Sequence, residues 1–138
     1  MQGRPQTMQE DPAYDDVVTD VARFLGRRAG AAMAAGVDRT RIALDPGVGF
    51  GKTLAHNLTL MAALEHFTGL EFPILFGASR KRFIAALDET AADPGDRLGG
   101  SLAAALHAAR AGCSILRVHD VRETVQALKV QSAIRGPI

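Results

Sequence analysis

Leu44-Asp45-Pro46-Gly47-Val48-Gly49-Phe50-Gly51-Lys52 closes a short apolar run, Ile42-Ala43-Leu44, and leads into a helical pattern. A carboxylate thus stands where a buried strand ends, and a glycine-rich loop begins directly after it. Glycines at 47, 49 and 51 let the backbone turn tightly and approach a flat ligand closely. The same layout returns twice. Pro73-Ile74-Leu75-Phe76 runs into Gly77-Ala78-Ser79-Arg80-Lys81, and Ser114-Ile115-Leu116-Arg117-Val118 runs into His119-Asp120. Strands that each end in chemically capable residues predict one site at the carboxyl end of a parallel sheet.

Helical patterns fill the intervals. Asp11-Pro12 reads as an N-cap with proline in the first turn. Tyr14, Val17, Val18, Val21, Phe24 and Leu25 carry an apolar stripe onward until Gly36, predicting a helix of about 24 residues. Further helices are predicted over 54–67, from Ser79 to about Leu87, from Asp93 to Ala111 and over 121–134, with strands at 41–44, 73–76 and 114–118. Alternating helices and apolar strands define an α/β fold with parallel strands and outer helices. So few strands leave both sheet edges unpaired, so the sequence predicts a single domain over 1–138 that is incomplete and prone to self-association.

Composition narrows the function. A net charge of +1 argues against a partner such as nucleic acid, whose phosphate backbone is bound through bulk charge. No run approaches the roughly 20 apolar residues a membrane helix needs, and Met1 is followed by polar residues rather than an apolar leader. Cys113 is the only cysteine, which excludes an internal disulfide and fits a reducing, cytoplasmic setting. Its place just before a strand reads as a small core residue.

The glycine loop invites a nucleotide reading and fails it. A phosphate-wrapping Walker loop needs glycine five residues before Gly51, where Pro46 stands, and the dinucleotide fingerprint needs a third glycine where Lys52 stands. Asp45 is better read as an acceptor for two donors on the guanidine-like edge of a heterocycle, or as a brace for its own loop. Phe50 faces a ligand or packs on a neighbouring loop. Ser79 caps a helix whose free amides, with Arg80 and Lys81, make an anion site, or the segment is a solvated basic turn. Arg117 and His119 share one face of their strand and suit a diphosphate, unless Arg117 belongs to a structural salt bridge. His56 and His107 fall in helical stretches and carry no functional expectation.

Taken together, Asp45 to Lys52 with His56-Asn57, Gly77-Ala78-Ser79-Arg80-Lys81, Arg117-Val118-His119-Asp120 and the opening Met1-Gln2-Gly3 with Pro5-Gln6-Thr7-Met8 resemble the dihydropteroate synthases of the pterin-binding (β/α)8-barrel superfamily. The motifs look like that family's loops after strands five to eight, so the resemblance implies about three βα units from the carboxyl-terminal part of a TIM-type barrel. It implies condensation of 6-hydroxymethyl-7,8-dihydropterin pyrophosphate with para-aminobenzoate to give 7,8-dihydropteroate and pyrophosphate, in folate biosynthesis. It assigns the pterin to Met1, Asp45 and Lys81, para-aminobenzoate to Phe50, Ser79 and Arg80, and pyrophosphate to Arg117 and His119; Lys81, Arg117 and His119 carry the catalysis. It further implies magnesium on the diphosphate, with the metal's usual protein ligand in strands this chain lacks and no metal ligand here, and a homodimer through the carboxyl-terminal helices. Because half the family's pocket is missing, the chain alone is expected to be inactive or nearly so. A methyl-tetrahydrofolate-handling pterin barrel and a non-catalytic, self-associating fragment stand as the rival readings.

Overall fold

A computed structural model describes residues 12–136. Helix α1 spans Val17–Ala34 and begins where the Asp16 carboxylate accepts the amides of Val18 and Thr19. The start predicted at Asp11-Pro12 is therefore too early. Tyr14, which fits the apolar stripe by spacing, lies ahead of the helix and donates its hydroxyl to the Gly51 carbonyl, 3.0 Å away. Gly36, at φ +92°, takes the left-handed turn that stops the helix.

The predicted helix over 54–67 is two, α2 at Leu54–Ala62 and α3 at Leu64–Thr68, broken at Ala63. Thr53 caps α2 by accepting the His56 amide, while the His56 ring returns the bond to the Thr53 amide. Strand β1 is Leu75–Phe76, followed by the short α4 at Arg82–Leu87. Two 3-10 turns, Glu89–Ala91 and Pro94–Arg97, lead into α5 at Leu98–Arg110. Strand β2 is Ile115–Leu116, and α6 at Val121–Arg135 follows.

The parallel sheet is present, and it is smaller than the apolar runs suggest. Leu75 pairs with Ile115 and Phe76 with Leu116, while Leu44 joins from the other side through a parallel bridge to Ile74. Arg41, expected to begin the first strand, instead closes a 3-10 turn, Arg39–Arg41, in which the Asp38 carboxylate accepts the Thr40 amide. The order along the sheet is the chain order, so each strand is followed by a helical crossover to its neighbour.

Two apolar clusters hold the layers together. One joins Val17, Val21, Ala22 and Ala29 of α1 to Leu44, Leu60, Phe67 and Ile74; the other joins Val48, Met61, Leu64, Phe76, Ala78 and Ala108. Cys113 packs against both, and burial raises its thiol pKa, which suits a core residue and not a nucleophile. No helix among the described residues is long and apolar enough to cross a membrane.

Candidate active site

The loop after Leu44 is braced by its own residues. The Gly47 amide donates to Asp45 Oδ1 at 2.8 Å, leaving the exposed carboxylate facing solvent from a fixed position. Asn57 accepts the Gly49 amide at 2.7 Å and donates to the Thr53 carbonyl at 2.8 Å. Lys52, only 5% exposed, donates to the carbonyls of Gly47 and Phe50, each 3.0 Å away. Desolvation lowers its ammonium pKa to about 8; Asp45 opposes that shift and Lys81 adds to it. Gly49 has a reason of its own to be glycine. It sits at φ +82°, and a Cβ there would lie 2.8 Å from Lys81 Cδ.

The turn after Phe76 is held by distant residues. Arg80 adopts φ +58°. Its amide donates to Ser101 Oγ at 2.9 Å and its carbonyl accepts from Arg97 Nη1 at 2.9 Å. Its guanidinium forks onto Asp120 through Nε at 3.1 Å and Nη2 at 2.5 Å, which lowers the Asp120 carboxyl pKa. The buried Arg97 also donates to the carbonyls of Ala91 and Ala92, so its charge rests on three peptide dipoles.

This geometry corrects the reading of Ser79 as a helix cap. A left-handed Arg80 cannot lie inside an α-helix, so α4 starts at Arg82 with Lys81 in the cap position. The expected row of free amides at Ser79 is absent. Ser79 is buried, and its hydroxyl lies 3.0 Å from His119 Nδ1 and 3.3 Å from the His119 amide. The donors that remain for an anion are side chains: Lys81, Arg117 and His119.

Lys81 is the hub. Its Nζ donates to the Val48 carbonyl and stands 4.5 Å over the Phe50 ring. Burial lowers its pKa, opposed by the field of Asp45 and reinforced by that of Arg117. One ammonium therefore feels residues from all three strand ends. Arg117, expected within a buried strand, is exposed because β2 forms the sheet's edge among the described residues, with Ile115 42% exposed. Its guanidinium makes no ion pair among the described residues, so the salt-bridge alternative is not realised. Phe50 is exposed and lines two clefts. A cleft of about 470 Å³ includes Asn57, Arg80 and Lys81; a second, of about 570 Å³, includes Asp45, Gly47 and Tyr14. Met1 lies outside the described residues.

Sequence reasoning passed over four residues that build the site. Lys52 was weighed only against a nucleotide loop, yet a cation closing a run of glycines is a usable signal for a loop staple. Asp120 follows His119 directly and carried a signal of the same kind. Arg97 and Ser101 gave none, because their partner lies 17 and 21 residues earlier in the chain.

A parallel array whose strand-end loops present a carboxylate, a half-buried ammonium and an exposed guanidinium fits a binder of flat, anionic heterocycles. The chain belongs to the family of pterin binding enzymes, whose model matches residues 1–119. Within that family its relatives are dihydropteroate synthases. The Escherichia coli K12 enzyme is 47% identical over 133 residues, covering 96% of this chain and 46% of its own length. The Stenotrophomonas maltophilia dihydropteroate synthase, solved with imidazole in its active site, superposes with a TM-score of 0.93 at 47% identity, over 100% of this chain and 52% of that one. The Xanthomonas albilineans enzyme in complex with 7,8-dihydropteroate gives 0.88 at 48% identity, over 92% and 49%. The chain thus spans about half the length of the relatives it matches, and its α/β array corresponds to about three βα units of the carboxyl-terminal part of their barrel.

Proposed function

We propose that this chain supplies the carboxyl-terminal strand-end loops of a dihydropteroate synthase site, as one unit over residues 1–138. The observation that carries this is the convergence on Lys81 of Asp45 and Phe50 from one strand-end loop and Arg117 from another. The Xanthomonas albilineans relative, solved with 7,8-dihydropteroate, supports the ligand class.

In this reading Asp45 accepts donors from the amino-pyrimidine edge of the pterin, and Lys81 donates to a ring acceptor. Phe50 and Ser79 lie against para-aminobenzoate, with Arg80 beside them as a strut fixed by Asp120. The bond between the pterin methylene and the diphosphate oxygen breaks, and the amine of para-aminobenzoate forms the new C–N bond and sheds a proton. Diphosphate leaves with the bond's electron pair, and Arg117 and His119, already positioned at the strand's end, stabilise that departing charge. Magnesium, when bound, neutralises the diphosphate further. In this reading the diphosphate's oxygens would hold the ion together with a protein ligand supplied from outside this chain. A cytoplasmic enzyme and a homodimer through the carboxyl-terminal helices belong to the same reading. For the dimer, α6 offers Val125, Val130 and Ile134, the last 80% exposed.

The test is pyrophosphate release from dihydropterin pyrophosphate and para-aminobenzoate with magnesium. The chain is assayed alone and with the amino-terminal half of the Escherichia coli relative. Little or no turnover is expected alone. With the added half, turnover is expected that Lys81→Ala lowers by about 100-fold or more. No turnover in the combined sample, whether mixed or fused, overturns the proposal.

A further inference from the structure

His119 is exposed, but the Nδ1 edge of its ring is turned into the structure. Nδ1 lies 3.0 Å from Ser79 Oγ, and the His119 amide donates to the same oxygen at 3.3 Å. Ser79 is only 7% exposed, and its hydroxyl makes no other hydrogen bond among the described residues. A serine hydroxyl has one hydrogen to give and two lone pairs. If Nδ1 carried the proton, Oγ would accept two N–H bonds and its own hydrogen would be stranded in a nearly dry site. If Nδ1 is bare, Oγ accepts the amide and donates to the ring, and every group is satisfied. A stranded buried donor costs more than a made bond returns, so the second arrangement wins.

We propose that Ser79 is a positioning residue for His119, holding its imidazole as the Nε2–H tautomer so that a hydrogen-bond donor points away from the sheet toward an anionic ligand. That donor is present on the neutral ring and on the imidazolium alike. The contact with an anion therefore does not require His119 to be charged, while the neighbouring strand residue Arg117 supplies a permanent charge. The tautomer assignment stands on the contacts alone; the anion's identity as a diphosphate rests on the reading under Proposed function. It gives Ser79 a task separate from touching the second substrate.

The test is ¹⁵N NMR of the imidazole nitrogens in the labelled chain at about pH 9, above the usual imidazole range. For the unaltered chain one form is expected, with Nε2 protonated and Nδ1 bare. Ser79→Ala should show a measurable fraction with the proton on Nδ1, and Ser79→Thr, which keeps the hydroxyl, should resemble the unaltered chain. Titration with inorganic pyrophosphate should show Ser79→Ala weakened about three- to ten-fold, the scale of one hydrogen bond, with Ser79→Thr close to the starting affinity. A proton on Nδ1 in the unaltered chain overturns the proposal even if a variant fails to fold. A Ser79→Ala spectrum identical to the unaltered one overturns it as well. An Nε2–H ring in a chain that binds no pyrophosphate upholds the tautomer assignment and removes the diphosphate reading instead.

Discussion

The two loops that meet at Lys81 are made rigid in opposite ways. The loop from Asp45 to Thr53 is stapled largely from within: Asp45, Lys52 and Asn57 hold backbone groups no more than eight residues away. The turn from Gly77 to Lys81 is held from outside. Ser101, Arg97 and Asp120 reach Arg80 across separations of 21, 17 and 40 residues, and His119 reaches Ser79 across 40. A self-stapled loop can keep its shape while its surroundings move. A loop held by remote residues has a shape only when α5 and the loop after β2 are in place. The first is therefore a preformed surface, and the second reports whether the rest of the unit has assembled.

The difference can be broken most severely at Arg97. Arg97→Ala removes the donor from three carbonyls, that of Ala91 buried and those of Arg80 and Ala92 less so, and is expected to lower the unfolding free energy by about 3 kcal/mol, read by urea denaturation. Urea sensitivity like that of the unaltered chain would show that the second turn does not depend on its remote clamp.

Lys52 sharpens the comparison from the other side. Its folded-state pKa, about 8 against an ordinary 10.5, means the unfolded chain binds more protons between those values. Stability is therefore expected to rise with pH across that window, by up to about 2 kcal/mol between about pH 8 and about pH 10. Lys81, also lowered by burial, acts in the same direction; Tyr14, whose pKa is raised, opposes above pH 10. The neutral amine keeps two hydrogens for its two carbonyls, so the staple survives deprotonation. Lys52→Met should flatten the rise in a series of denaturation curves taken across that window; an unchanged slope would mean Lys52 is not the group that titrates. The smallest effect is expected at the loop's exit. Thr53→Ala removes the cap of α2 and should cost about 1 kcal/mol while leaving the turn at Arg80 undisturbed. A larger loss, or a changed amide signal at Arg80, would show that the first loop is less self-contained than its contacts imply.

This contrast also explains what could be read from the chain. The strand-end order and the helices predicted over 93–111 and 121–134, found at 98–110 behind a 3-10 turn and at 121–135, follow from spacing and turn chemistry, which are local. The start of α1 is misplaced in the sequence reading because Asp11-Pro12 carries the clearer cap signature, while the carboxylate that takes the first free amides, those of Val18 and Thr19, is Asp16. The break at Ala63 and the two-residue strands came from tertiary fit that periodicity does not encode. Ser79 looked like a cap because nothing nearby announces that Arg80 is left-handed; the residues that impose it are Ser101 and Arg97. In a buried strand Arg117 needs a partner or a ligand; at the exposed edge of β2 it stands in solvent without an ion pair among the described residues.

One contact carries a consequence for affinity. Before any ligand arrives, the Lys81 ammonium is already engaged by the Val48 carbonyl. An ammonium has three hydrogens, so an incoming acceptor takes a second one without displacing Val48. The carbonyl instead moors the cation: a flexible four-carbon chain is ordered before the ligand binds, and little of its freedom is lost on binding. The loop's backbone thus fixes the direction from which a ligand meets the lysine.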